Sequence, residues 1–370
     1  MSVDFVGMIS TRHESEIHAP SGAFVDPDYV KKFARAHEDA GFDRVLVAYG
    51  STSPDANLVA SAALAATERL GVLIAHRPGF VFPTWAAKSF ATLDQLSRGR
   101  VAIHIITGGN DQEQQREGDF LGKDDRYART DEYLDIVRKT WTSTEPFSHE
   151  GRFYKFADFV SGVHPVTSIP VYFGGSSEAA YRVGGKHADT YALWGEPLAE
   201  TAEQIASVRA SAAAAGRTEV PGISVSFRPI LGATEELAWE RAHRILDQIK
   251  AGRKNNEQWL RRFRGDTPQN VGSQRLLAAA AKGELHDRAL WTPTSAASGA
   301  AGNSTALVGT PETVAAALLD YVDIGATTLL IRGYDPVDDA VDYGRHLLPL
   351  VRQELAHRAL TAREPVGAAR

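Results

Sequence analysis

Apolar residues fall along this chain in short runs rich in valine, isoleucine and leucine. Between the runs lie stretches in which apolar positions return every third or fourth residue. The runs predict strands at Val3–Ser10, Arg44–Tyr49, Gly71–His76, Val101–Thr107, Val171–Gly174, Thr190–Gly195, Ile223–Leu231 and Thr328–Gly333. The amphipathic stretches predict helices at Pro27–Gly41, Asn57–Thr67, Thr84–Leu96, Tyr127–Thr142, Glu178–Lys186, Ala199–Ala215, Glu235–Lys250 and Val337–Glu354. The strand runs are nearly continuous in apolar residues, the pattern of a parallel sheet covered by helices. Eight strand–helix units in this order predict an α/β fold, a (β/α)8 TIM barrel. A doubly wound open sheet shares the alternation but normally carries a glycine fingerprint after its first strand. Here that turn reads MISTRHES, with no glycine.

One segment breaks the rhythm. Residues 251–304, between the seventh helix and the eighth strand, are far longer than an ordinary connection. Residues 251–300 hold eight Lys/Arg against four Asp/Glu, a local charge of +4 in a chain whose net charge is −6. Active sites of barrel enzymes lie at the C-terminal ends of the strands, so a basic insertion there is expected to fold over the site as a lid. An exposed loop with helices of its own fits the same residues. The domain expectation is a single barrel over 1–358 with this insertion, followed by a loose tail over 359–370.

Composition narrows the chemistry. The acidic balance argues against a nucleic-acid binder with a global basic field. The absence of cysteine removes disulfides, thiolate zinc sites, iron–sulfur clusters and a cysteine nucleophile. The start has no basic segment ahead of its apolar run, and no window reaches the length of a membrane span, so a cytoplasmic protein is expected. The HExxH, P-loop and GxSxG motifs are missing, and no metal site is expected.

Candidate residues gather at the predicted strand ends. Gly174-Gly175-Ser176-Ser177 sits where a strand passes into a helix, so free N–H groups and two hydroxyls form either an anion site or a plain serine cap. Thr107-Gly108-Gly109-Asn110 follows the fourth strand in the same way, with Arg126 and Tyr127 opening the next helix. His76 and Arg77 end the third strand and Trp194-Gly195-Glu196 the sixth. Arg228 and Arg332 lie on the seventh and eighth, where inward-pointing guanidiniums require an anionic partner, either a ligand or a carboxylate of the protein. His13 and His18, beside Glu14 and Glu16, read as a polar loop.

The stretches RPGFVFPTWAAKSFATLDQLSRGR (77–100), IITGGND (105–111), DDRYARTDEY (124–133), VYFGGSSEAA (171–180), LWGEP (193–197), TALVGTPETVAAAL (305–318) and GYDPVDDAVDYGRHLLPLV (333–351) together resemble the flavin-dependent alkanesulfonate monooxygenases of the bacterial-luciferase-like superfamily. The resemblance covers most of the chain. It implies a barrel that takes reduced FMN from a separate NAD(P)H-dependent reductase and uses O2 to cleave a carbon–sulfur bond, releasing an aldehyde and sulfite. A homodimer or homotetramer is implied as well. By the same resemblance Ala75, His76, Thr107, Tyr127, Gly175, Ser176 and Ser177 contact the flavin, with a non-proline cis peptide at Ala75-His76. Trp194, Arg228 and Tyr334 match active-site positions, with His76 among the catalytic candidates and Ser53 and Arg332 among the substrate contacts. Arg228→Ala is accordingly expected to abolish sulfonate turnover with little effect on folding.

Three departures bear on the substrate. Ser53 stands where the simple alkanesulfonate enzymes have a cysteine, and Arg228 where they have a histidine. Gly299–Ser304 lacks the arginine they carry before TALVG. The segments SEIHAPSG, SFRPI and NSTALVGTPE, with the extra Arg332, are closer to the sulfoquinovose-oxidising branch. Hydride transfer with a deazaflavin (F420) on the same fold, and a non-catalytic flavin-binding barrel, are the alternatives.

Overall fold

A computed structural model describes residues 2–264, 268–300 and 302–361. Its centre is a closed ring of eight parallel strands: β1 (Asp4–Ile9), β2 (Arg44–Val47), β3 (Gly71–His76), β4 (Val101–Ile105), β5 (Val171–Gly174), β6 (Thr190–Trp194), β7 (Gly222–Leu231) and β8 (Thr328–Ile331). Each strand pairs with the next in chain order, and β8 closes on β1 through Asp4↔Thr328 and Val6↔Leu330. The (β/α)8 expectation is therefore met.

Strand side chains alternate between the faces, and that alternation sorts the barrel. Val45, Val72, Ile74, Ile103, Val171, Phe173 and Leu329 face outward into the main core under the helices. Val6, Leu46, Leu73, Ala102, Tyr172 and Leu330 pack together inside the ring. Two residues further along the strands, toward their C-terminal ends, comes the next inward layer: Met8, Ala48, Ala75, His104, Gly174, Ala192, Ser226 and Arg332. Five of these eight are glycine, alanine or serine, so the plug of side chains that fills a barrel stops here and a cavity opens above it.

Helix starts follow from the sequence. Asp26 caps Pro27–Asp39 by accepting from the amides of Asp28 and Tyr29, and Asp55 caps Ala56–Ala66 by accepting from Leu58 N at 3.0 Å. Departures from expectation lie in the connections. A hairpin, Phe147–Glu150 with Lys155–Phe159, and a short helix, Asp111–Arg116, occupy stretches read as loop. The seventh helix continues past 250 to span Glu235–Arg264. The insertion then supplies helix Val271–Lys282 and strand Leu290–Trp291, and beyond its expected end at 304 strand Ala306–Gly309 runs parallel beside β7. Helix Leu348–Thr361 takes in residues 359–361, the first of the expected tail. Residues 265–267 and 301 of the insertion and 362–370 of the tail lie outside the described residues. Among the described residues no helix is long and apolar enough to cross a membrane.

Candidate active site

The space above the inward layer is a cavity of about 790 Å³ at the C-terminal end of the barrel. Its floor and walls are largely apolar, from Met8, Leu46, Ala48, Leu73, Ala75, Ile106, Tyr172, Leu193 and Leu330. Six residues of this lining each have a buried polar atom that no protein group satisfies: His104 Nδ1, Thr107 Oγ1, Arg126 Nε, Ser226 Oγ, Asn303 Oδ1 and Arg332 Nε. Buried polar groups normally find partners, so six orphans around one cavity mark a place shaped for a ligand with donors and acceptors along its edges.

One end of the cavity is formed by the turn after β5. β5 ends at Gly174, and Gly175 carries the chain through φ +136° into helix Glu178–His187. A Cβ at Gly175 would stand 2.7 Å from Ala180 Cβ and 3.1 Å from the Tyr127 hydroxyl, so only glycine lets this backbone approach the cavity. Ser177 caps the helix, its Oγ accepting from Ala180 N at 3.3 Å. The cap reading of this turn therefore holds, and Gly175, Ser176 and Ser177 also line the cavity. Thr107, Lys123, Arg126 and Tyr127 complete this end. Burial raises the Tyr127 pKa, keeping the phenol a neutral donor. Arg126 is fixed by Leu121 O (2.6 Å) and Asp111 Oδ1 (2.8 Å).

The opposite end is framed by Trp194, Ser224, Ser226, Asn303 and Arg332. Arg332 Nη2 holds Glu16 Oε1 at 2.8 Å, while its Nε is unpartnered. Glu16 arrives on the loop after β1. Its two oxygens also accept from Arg228 Nη1 and Nη2 at 2.9 and 3.0 Å. Burial would raise the Glu16 pKa, but Arg228 and then Arg332 outweigh it and hold the carboxyl well below its ordinary range. The insertion borders the opening: Gln269, Asn270, Val271 and Gly272 line it, and Gln269 Oε1 accepts from Asp111 N at 3.0 Å. A Cβ at Gly272 would meet the Trp194 ring at 2.9 Å, so the segment lies tight against that indole.

Several sequence candidates sit elsewhere. Arg228 is 1% exposed and walled off from the large cavity: besides Glu16 it donates to Gly333 O at 2.8 Å and lies 3.8 Å above the Tyr334 ring. The partner it requires is a protein carboxylate. Tyr334 is buried beneath it, packed in a separate apolar cluster with Ile230 and Trp291, and does not line the cavity. His76 alternates to the outer face of β3, where Nε2 meets the Tyr133 hydroxyl at 2.7 Å, and burial lowers its pKa to about 4. Arg77 pairs with Glu113 and Glu117. Ser53 lies on an exposed turn off the cavity wall. The Ala75–His76 peptide is trans, like every described peptide bond, in keeping with the several-kcal/mol preference of non-proline bonds. Thus Ala75, Thr107, Tyr127, Gly175, Ser176, Ser177, Trp194 and Arg332 come together, while His76, Arg228, Tyr334 and Ser53 do not join them.

His104 and Glu16 are the residues that sequence reasoning missed. His104 lies on the inward face of β4 against Gly174, where an added Cβ would come within 3.4 Å of its Cε1. Enclosure in the protein lowers its pKa to about 4, so the imidazole is neutral near pH 7. It is a polar residue in the otherwise apolar run Val101–Ile106, the one signal that gave it away. A cluster on the outer surface, Asp131, Asp135 and His187, has metal-ligand side chains, but Lys186 Nζ already bridges its two carboxylates at 2.7 and 2.8 Å.

A largely apolar chamber at the C-terminal ends of the strands lies where barrel enzymes carry their active sites. Residues 3–328 match the luciferase-like monooxygenase family, and the chain belongs to it. Its architecture is similar to that of a riboflavin lyase solved with modified FMN and riboflavin (22% identity, TM-score 0.79, covering 96% of this chain and 92% of that one). It is also similar to the EDTA monooxygenase of Chelativorans sp. BNC1 (18% identity, TM-score 0.75, 96% and 94%). An F420-dependent secondary alcohol dehydrogenase shares the fold more distantly (17% identity, TM-score 0.66, 95% and 100%).

Proposed function

We propose that this protein is the monooxygenase component of a two-component system, using reduced FMN from a separate NAD(P)H-dependent reductase and O2 to cleave the carbon–sulfur bond of an organosulfonate. The substrate is an alkanesulfonate or a sulfosugar such as sulfoquinovose. In the balanced reaction the sulfonate-bearing carbon is oxidised to a carbonyl and the sulfur leaves as sulfite. One oxygen atom enters the carbonyl and the other leaves as water, with two electrons drawn from the reduced flavin. The observation that carries the reading is one cavity lined both by the Gly175–Ser177 turn with Lys123 and by Arg332, groups suited to two anions.

The orphaned atoms fit FMN. A flat ring system with polar edges would take the apolar chamber and satisfy His104 and Thr107, while its phosphate would take the amides of the Gly175–Ser177 turn. Bound reduced FMN would supply the activation of O2. The chain's own residues bind, orient and exclude water. Arg332, with its free Nε, binds the sulfonate, which stays ionised at any physiological pH. Ser224, Ser226 and Asn303 offer hydrogen bonds suited to a hydroxylated substrate. Trp194 is an apolar wall, and the insertion residues 269–272, packed on it through Gly272, border the opening as a lid that keeps the chamber dry.

The test is sulfite release from methanesulfonate, octanesulfonate and sulfoquinovose with a flavin reductase, NADH and air. Oxygen-dependent sulfite from at least one of them is expected. No sulfite from any, or tight binding of F420 with none of reduced FMN under anaerobic titration, overturns the reading.

A further inference from the structure

The substrate end of the cavity contains more charge than one anion requires. Arg228 and Arg332 both hold Glu16, at 2.8 to 3.0 Å through three contacts, and guanidiniums do not lose their protons in proteins. The other acids nearby are engaged elsewhere. Glu14 pairs with Arg12 at 2.9 Å, and Asp335 with Arg241 at 2.9 Å and His18 at 2.5 Å. Arg241 is shared with Asp339. Two guanidiniums and one carboxylate leave this triad with a single unbalanced positive charge, and Arg332, with its unsatisfied Nε, presents that charge to the cavity.

We propose that Glu16 is a charge filter that makes this end of the cavity select a singly charged tetrahedral anion over a doubly charged one. The inference rests on the proposed binding of an anionic substrate at Arg332 and adds what sets its charge class. A sulfonate carries one negative charge and balances the triad. A phosphonate or phosphate monoester carries up to two, and the second faces a carboxylate only one guanidinium away. Two arginines hold that carboxylate ionised, so protonation does not relieve the repulsion. Discrimination between anions of the same shape then comes from an introduced repulsive element. Arg228, which never reaches the cavity, takes part by anchoring Glu16 from behind with both its terminal nitrogens.

The experiment compares ethanesulfonate with ethylphosphonate, nearly isosteric probes, by calorimetric titration of the full chain at a pH where the phosphonate is a dianion. The wild-type protein is expected to bind the sulfonate at least about tenfold more tightly. Glu16→Gln keeps an acceptor for Arg228 and is expected to shrink or invert that ratio by about tenfold or more. Equal affinity of the wild type for the two probes, binding of neither, or a ratio unchanged in Glu16→Gln overturns the filter. Should Glu16→Gln fail to fold in a melting experiment, the wild-type comparison alone decides. Sulfite release is measured separately. An enzyme that releases sulfite without discriminating the probes sinks the filter alone, whereas discrimination without sulfite release sinks the desulfonation reading.

Discussion

At the scale of single residues, burial and partner identity separate the two arginines that look alike in sequence. Arg228→Ala takes one of two arginines from the Glu16 carboxylate and empties a buried pocket over Tyr334, and large-to-small changes at buried sites cost about 2–5 kcal/mol. The variant is therefore expected to melt well below the wild type, correcting the expectation of an effect on turnover alone. Arg332→Gln is expected to fold and to raise KM for the sulfonate about 10- to 100-fold, the loss of a charged hydrogen bond. An unchanged KM removes Arg332 from the site. His104→Leu replaces an unsatisfied imidazole nitrogen with an apolar group, so the flavin-free protein should melt no lower while FMN affinity falls by about 1 kcal/mol. Fluorescence titration with FMN checks this, and unaltered affinity with a lowered melting point contradicts it. Sequence alone showed that guanidiniums on β7 and β8 needed an anion, but not which. The partner of Arg228 is 212 residues away in a polar loop, and nothing local links the two.

At the scale of elements, the legible features were those with a local physical cause. Continuous apolar runs revealed the strands, and turn glycines with the following serines marked residues that line the cavity. The inward face was hidden by the same continuity, since strands apolar on both faces do not announce their phase. His76 and Ala75 differ by one position and face opposite sides of β3; the sequence reading placed both at the flavin. The long helix Glu235–Arg264 was cut short because its second half is polar. A prediction belongs at this scale too. Ser177→Ala removes both a helix cap and a cavity hydroxyl, so it should lower stability by about 1 kcal/mol and weaken FMN binding. Ser176→Ala, which caps nothing, should weaken FMN binding alone, and the double variant should lose about 1–3 kcal/mol of affinity. Equal stability losses in the two single variants would contradict this division of labour.

The whole molecule carries a pH signature of its buried imidazoles. His37 and His76 are 2% and 7% exposed, and burial lowers the pKa of each to about 4 from an ordinary 6.5. Between those values the unfolded chain binds the protons and the native state does not, so stability is complete above about pH 6.5 and falls as pH drops toward 4. Each histidine contributes about 3 kcal/mol to that loss. Glu16 acts below this window: its depressed pKa stabilises the fold above the ordinary 4.5, and the contribution is lost as pH falls further. Denaturant unfolding at a series of pH values should show this decline, and a flat profile from pH 6.5 to 4 would contradict the burial argument. The larger claim is that one chamber, opened by a layer of small residues at the top of the barrel, seats two anions at opposite ends. A crystal structure of the chain with FMN and a sulfonate tests it most directly. The account predicts the phosphate on the amides of Gly175–Ser177 and the sulfonate on Arg332 Nε, with the Glu16–Arg228 pair intact. A phosphate bound away from that turn, or a sulfonate seated on Arg228 in place of Glu16, would contradict it.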